Sequence, residues 1–526
     1  MQSLLIHNAP LLSFHDSFIK GSDTLFAENG IIKAIGRYDD LKPLIQAGTK
    51  VIDAGGKTLM PGFNDTHIHI WKVGNLKTYM LDVRGVQSKE ELLSALSDYN
   101  KKFPDVSWIT ARGFNEAAWK ENILPTKEDF DKVSLTKPIY VIRTCAHIAV
   151  TNSLALQTAG ISGNTPVPHG GEIRLGNDGQ PNGIFTETAL GLITKHIPLP
   201  SKEELKTMVR AARNEMYSYG ITAATDPAVH PELLEAYMEM NAAGELGFRL
   251  HALPIILPDG GEQPYPVPEY YSSDFFNVNT VKFFSDGGLS GKTAALKRFY
   301  KNSNDKGVLR LSDAQYTSLC TQCMEKGLAI ATHAIGDAAI EFVIETYEKL
   351  QRDFPGIHNR IEHLGLPEKH HLQRMADNNI AASMQTIFLY ELGKNFISAL
   401  DDDYLSRCYP VASAIQAGIK TALSSDAPVV KDFNPVAGIE AAVTRKTNDG
   451  NIIAAHEAVS IAEACRAYTC TAADISFAKD YGSLEVNNKA DFILLNKDPL
   501  TLQPHEISTL QVEKTFVDGD CMWETP

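Results

Sequence analysis

No apolar run in the 526 residues approaches the ~20 needed to cross a membrane as a helix, so an integral helical membrane protein is excluded. Positive charge is also in deficit. With 49 Lys and Arg against 64 Asp and Glu, the formal net charge is -15, which argues against a nucleic-acid or anionic-membrane surface and leaves a small-molecule partner as the expectation. Cysteine is scarce: seven, an odd number, are dispersed along the chain, the usage of a reducing compartment, and the expected location is cytoplasmic. Cys320 and Cys323 form a C-x-x-C inside an apparent helix, and with no second pair to complete a zinc site they read as two small residues on one face. The opening MQSLLIHNAPLLSFHDSF is broken by His7, Asn8, Pro10, His15 and Asp16, so no secretory leader is expected. Low-complexity tracts are missing too, and homo-oligomerisation is left open.

What the chain does contain is an ordinary globular composition, 44% hydrophobic and 21% charged, with enough length for a large core. Both ends read as short strands and tight turns: SLLIHNAPLL, DTLFAENGIIKAIG and KVIDAGGKTLMPG at the start, YGSLEVNNKADFILLN and VEKTFVDGDCMW at the finish. Residues 1–60 and 475–526 are therefore expected to form one small β-sandwich domain from the two termini. Between them, over 61–474, short apolar strands ending in polar residues alternate with helical stretches. After LMPGFNDTHIHI come strands at 220–226, 248–256, 279–288, 327–337, 359–365, 380–388 and 418–428. That makes eight, the number that closes a TIM-type barrel, so the expected class is α/β, a distorted (β/α)8 barrel. Far too many residues separate the first two strands for one helix. An insertion over 81–200, with KEELLSALSDYNKKFP as an amphipathic helix and a Gly-rich hairpin around GGEIRLGNDGQPNG, is expected to emerge on the catalytic rim and cover the site.

The chemistry-bearing residues sit at the ends of those strands. His67 and His69 stand at i and i+2 in FNDTHIHIW, and in a strand that spacing aims both imidazoles to one face. Lys282 in TVKFFSDGG, His333 in ATHAIGD, His363 in RIEHLG and Asp426 in LSSDAPV end four further strands. Each has a bland alternative: a rim cation for Lys282, a core histidine for His363, a helix N-cap for Asp426. Those alternatives would have to coincide at five strand ends, whereas one divalent metal site explains them together. An ammonium repels a divalent cation, but a lysine carboxylated by CO2 is an anionic two-oxygen ligand that can bridge two ions. A plain lysine beside a single ion is the competing reading. Asp65 is expected to orient an imidazole, Asp337 to cap the helix after strand five, and Arg360 either to orient a substrate carboxylate or to neutralise Glu362.

With H-x-H, V-K-x-x-x-D-G, H-A-I-G-D, R-I-E-H and S-D-x-P-V in this order, the chain resembles the amidohydrolase superfamily and, within it, amidohydrolase family 3, which includes N-substituted formamide deformylase-like proteins. The resemblance runs essentially the whole length, through AEACRAYTCTAADISFAKDYGSLEVNNKADFILL. It implies that His67 and His69 bind one metal and His333 and His363 a second, with carboxylated Lys282 bridging them. Asp426 then ligates the first metal and acts as general base and acid. Zinc is the first expectation, with manganese, iron or nickel suiting the same ligand types. Asn115 and His147 match family-typical segments of the insertion, and Arg112, Trp119 and Glu187 are further substrate-pocket candidates.

The expected activity is hydrolysis of a C–N bond other than a peptide bond, in an amide, N-formyl or cyclic amide substrate, by a metal-activated hydroxide. A deaminase, an ester or lactone hydrolase, or a decarboxylase would use nearly the same ligands, because a fold does not determine its function. A catalytically silent scaffold protein is the alternative from another class.

Overall fold

Gly62 divides one apolar run between two sheets. Thr58–Pro61 pairs antiparallel with Phe492–Leu495, Met60 opposite Ile493, whereas Phe63–Asp65 pairs in parallel with Ile221–Val229. A Cβ at position 62 would lie 2.1 Å from Thr222 Oγ1, so only glycine permits this crossing. The structure, a computed structural model, describes residues 3–14, 21–116, 119–144, 148–168, 171–258 and 263–526.

Eight strands follow one another around a barrel: β1 (Phe63–Asp65), β2 (Ile221–Val229), β3 (Arg249–Pro254), β4 (Thr280–Phe284), β5 (Ala329–Ala334), β6 (Arg360–His363), β7 (Ala381–Met384) and β8 (Thr421–Leu423). Neighbours pair in parallel from β1 to β3 and from β4 to β8, and a parallel bridge between Ile255 and Lys282 joins the two runs. Beyond the last strand, Asp426 N–H donates to the His67 carbonyl at 2.7 Å and His69 N–H to the Ala427 carbonyl at 2.9 Å, closing the ring. Residues such as those of β3 are buried throughout, as expected for parallel strands covered on both faces. The seventh strand ends at Met384, four residues before the sequence reading, and a helix over Ile387–Ala399 begins almost at once. Apolar character runs on across that junction, which is why residue type alone does not mark it.

Helices alternate with the strands. In the helix Asp337–Asp353 the buried residues Ile340, Val343, Ile344, Tyr347 and Leu350 recur at helical spacing, the stripe that seats it on the barrel. Its N-cap is Gly336, correcting the expected cap at Asp337, which is the first helical residue. The Asp337 carboxylate instead accepts from Lys297 N–H at 2.8 Å, Tyr404 OH at 3.1 Å and Arg407 at 3.1 Å.

Strands from both chain ends build two four-stranded sheets. One joins Ser3–His7, Thr24–Glu28, Ile31–Gly36 and Lys50–Asp53; the other joins Thr58–Pro61, Phe492–Leu495, Val512–Val517 and Asp520–Glu524. Leu4, Ile6 and Leu25 of the first share one buried cluster with Leu59, Phe492 and Phe516 of the second. Arg249 of β3, 1% exposed, donates to Asp491 at 2.8 and 3.0 Å and also reaches Asp518, tying the barrel to these C-terminal residues.

The chain divides into two compact units, 1–70 with 213–526, described so far, and 71–212. The second holds a six-stranded sheet in the order Gly171–Leu175, Pro181–Glu187, Ile148–Thr151, Ile139–Arg143, Ile109–Phe114, Leu81–Asp82. The helix Lys89–Lys102 is capped by Ser88, whose hydroxyl accepts Glu91 N–H at 3.1 Å, and buries Leu92, Leu96 and Tyr99. Among the described residues no helix is long and apolar enough to cross a membrane.

Candidate metal centre

The two histidines of the H-x-H pair are not in a strand. β1 ends at Asp65, and His67 and His69 stand in the turn that follows, so the alternation of a pleated strand does not aim them. Hydrogen bonds to the far end of the ring do that instead. Asp65 Oδ1 accepts the backbone N–H of both His67 and Ser425 at 3.1 Å, fastening the ends of β1 and β8 together. This corrects the expected contact between Asp65 and an imidazole: its carboxylate holds main chain. Burial pushes the Asp65 carboxyl up to about 7 against the pull of those donors.

The result is a three-residue group. His67 Nε2 lies 3.4 Å and His69 Nε2 3.3 Å from Asp426 Oδ1, and the three ligand atoms all fall within 4.8 Å of one another. Asp426 is held in a left-handed backbone conformation, φ 56°, and so is His363, φ 75°. For residues with a Cβ that geometry typically costs about 1–3 kcal/mol, and such residues concentrate at functional sites.

Neighbouring acceptors set the tautomers. The Nδ1 hydrogen of His67 is donated to Glu362 Oε2, and that of His363 to Gln385 Oε1 at 2.6 Å. In each neutral ring Nε2 therefore carries the lone pair. Burial lowers the pKa of His67, against the upward pull of Glu362 and Asp426, and carries His363 well below the usual imidazole range. At His67 a lone pair thus faces a carboxylate oxygen with no proton between them, an arrangement that a cation relieves. The donor set fits a divalent metal on that ground.

His333 and His363 lie beside this group, with ring centroids 4.3 Å apart, and His363 is 4.8 Å from His67. They line the same cavity as His67, His69 and Asp426. His333 is turned differently: its Nε2 is 3.2 Å from the Gly287 carbonyl and 3.3 Å from Asp286 Oδ1. Lys282 is fully buried, and its Nζ reaches no hydrogen-bond partner among the described residues, lying 4.7 Å from the centre of the Phe284 ring. Burial draws its pKa down to about 8, against the carboxylates of Glu362 and Asp426. A buried amine without an acceptor is costly as an ammonium.

Supporting residues are only partly legible in the sequence. Arg360 Nε donates to Glu362 Oε1 at 2.5 Å and its Nη2 to the Thr66 carbonyl at 3.1 Å, so of the two roles weighed for it, neutralising Glu362 is the one observed. Asp286 accepts the N–H groups of Ile335 (3.1 Å), Gly336 (2.8 Å) and Ala295 (3.0 Å), pinning the loops after β4 and β5. Gln385 and the cavity residues Leu289, Phe388, Leu392, Phe396 and Tyr409 carried no motif.

Among the described residues the insertion candidates form no comparable group. Trp119 packs in the core of the second unit: it is 4% exposed, lies 5.8 Å from Phe114, and donates its indole N–H to the Val86 carbonyl at 3.1 Å. Asn115 Oδ1 accepts from Arg143 at 3.0 Å, and Arg112 is half-buried on the strand Ile109–Phe114. His147 and the side chain of Glu187 lie outside the described residues.

The amidohydrolase family profile matches residues 50–522. The chain is 30% identical over 514 residues to YtcJ of Bacillus subtilis (strain 168), an amidohydrolase by name, covering 96% of both chains. It is 26% identical over 546 residues to the N-substituted formamide deformylase of Arthrobacter pascens, covering 100% of this chain and 99% of that one. Among solved structures, an uncharacterized metal-dependent hydrolase from Pyrococcus horikoshii OT3 superposes with a TM-score of 0.81 at 23% identity, over 96% of this chain and 99% of that one, a likeness of fold.

Proposed function

We propose, from the premise that this chain belongs to the amidohydrolase family, that it is a metal-dependent hydrolase acting on a carbon–nitrogen bond of an amide, N-formyl or cyclic amide substrate. The observation that carries the reading is the approach of His67 Nε2 and His69 Nε2 to within 3.4 and 3.3 Å of Asp426 Oδ1, with the Nδ1 hydrogen of His67 committed to Glu362. In this reading His67, His69 and Asp426 hold one divalent ion, zinc being the best match to two imidazoles and a carboxylate, and His333 and His363 hold a second. Lys282 would hold both ions as a carbamate, formed when its unprotonated amine adds to CO2 and releases one proton. The bound ions supply Lewis acidity, lowering the pKa of a water and polarising the carbonyl it attacks.

The chain's own residues do the rest. Asp426, which lines the cavity, accepts the proton of the attacking water and returns it to the departing nitrogen, which makes an amine a viable leaving group. Glu362 and Gln385 keep Nε2 of His67 and His363 free of protons. The name of the Arthrobacter relative supports the choice of a C–N bond.

The test is a screen of N-formyl, N-acyl and cyclic amides, with esters and lactones alongside, against metal-quantified protein and its Asp426→Asn variant. Amide cleavage that depends on both metal and Asp426 is expected. Cleavage confined to esters, or insensitive to removing the metal, overturns the reading.

A further inference from the structure

Beside the metal-ligand candidates the cavity, about 220 Å³, is walled by Leu289, Ile335, Phe388, Leu392, Phe396 and Tyr409. All but Leu392 are buried, and all six belong to or pack against one apolar cluster, so the wall is part of the core and keeps its shape without a ligand. The aromatic members brace one another. Phe388 meets Tyr409 edge-on at 6.0 Å, Phe396 stacks on Tyr409 at 6.0 Å, and the Phe388 ring lies at 15° to that of His363 at 6.3 Å. The last contact brings the aromatic wall directly against a candidate metal ligand.

Charge decides the rest. No lysine or arginine lines the cavity among the described residues, and its one carboxylate is Asp426. An anionic substituent lodged against this wall would lose its hydration and meet no cationic side chain on it. Apolar surface entering here is favoured at roughly 25 cal/mol per Å². Size sets the class: a cavity of about 150 Å³ takes a benzene ring, so this one has room for a six-membered ring and the group it is attached to.

We infer that the substrate carries a compact, uncharged apolar substituent, a six-membered ring or a branched alkyl group, next to the bond that is cleaved. The inference rests on the amidohydrolase reading for the position of that bond, while the character of the wall stands independently of it.

The experiment uses full-length, metal-quantified protein and matched formamides and acetamides of three amines: cyclohexylmethylamine, its 4-carboxy analogue and methylamine. The scissile bond is electronically alike in all three. A kcat/KM for the cyclohexylmethyl amides at least tenfold above the methyl amides and at least a hundredfold above the carboxylates is expected. Leu392→Arg should narrow or invert the neutral-to-anionic ratio. Binding of the corresponding methanesulfonamides, which are not hydrolysed as amides, is followed by calorimetry on the same preparations. Cleavage of all three amides at similar efficiency, or an unchanged ratio in Leu392→Arg, overturns the inference and leaves the hydrolase reading standing. If no amide is cleaved but the cyclohexylmethyl sulfonamide binds at least tenfold tighter than its carboxy analogue, the reading of the reaction falls and the inference about the wall survives. Sulfonamides binding without that preference overturn it.

Discussion

Glu362 on β6 accepts the Nδ1 hydrogen of His67, a residue 295 positions earlier in the chain, while Arg360 grips its other oxygen. All three side chains are buried, and against the upward pull of burial the Arg360 guanidinium and the His67 imidazole hold the Glu362 carboxyl well below the usual range. The carboxylate fixes the ring's tautomer and strengthens Nε2 as a donor. Glu362→Gln is expected to weaken metal binding about 10- to 100-fold, as partners of ligand histidines do. Competition with a chelator of known affinity measures this, and unchanged affinity would remove Glu362 from that role. Glu362→Ala should in addition lose about 3–5 kcal/mol of stability, since it strands the Arg360 charge.

Asp426→Asn tests the proton acceptor. Its left-handed backbone and its contacts with His67 and His69 hold it in the cavity lining. Metal is expected to remain bound through the histidines, while turnover falls by about 10^2 to 10^4. Elemental analysis beside steady-state rates separates the two effects, and full turnover would exclude this role.

Lys282→Ala tests the bridge. The variant should purify with at least one metal equivalent missing and regain part of its metal with added acetate or propionate, which replace the carbamate oxygens. Undiminished metal content would refute the bridging role.

Arg249 lies far from this chemistry in function, but its ion pair with Asp491 is buried, and that with Asp518 half-buried, at the junction of β3 with the C-terminal strands. Arg249→Ala leaves Asp491 buried without its partner and should cost about 3–5 kcal/mol. Denaturant unfolding checks the loss. Metal stoichiometry of the folded fraction should not change.

Glu341 provides a pH prediction away from the metal centre. Burial pulls its carboxyl upward, but hydrogen bonds from His370, His371 and Arg374 outweigh that and hold it well below the usual range. A folded-state value below the unfolded ~4.3 contributes stability above that pH and loses it as pH falls through the folded value. The difference in Tm between the parent protein and Glu341→Gln should therefore be largest near neutrality and shrink below about pH 4. A difference that grows in acid would contradict the assignment.

The order of the β-α units and the five motif-bearing strand ends could be read from residue types. Parallel strands covered on both faces leave dense apolar runs, and His333 and His363 stand at or next to the ends of two of them. The contacts that aim those residues could not. Asp65 reaches the main chain of Ser425, and Glu362 reaches His67, across most of the sequence, with no local pattern to record either pairing. An indole suits a ligand and a core equally, and the packing of Trp119 against Phe114 and Val86 has no local pattern to record it either. Phe388 and Phe396 of the aromatic wall likewise come from a helix whose residues match any buried amphipathic segment. Local sequence determined which groups are present and the order of the strands that carry them; closure of the barrel, a long-range event, decided where those strands end and which of the groups meet.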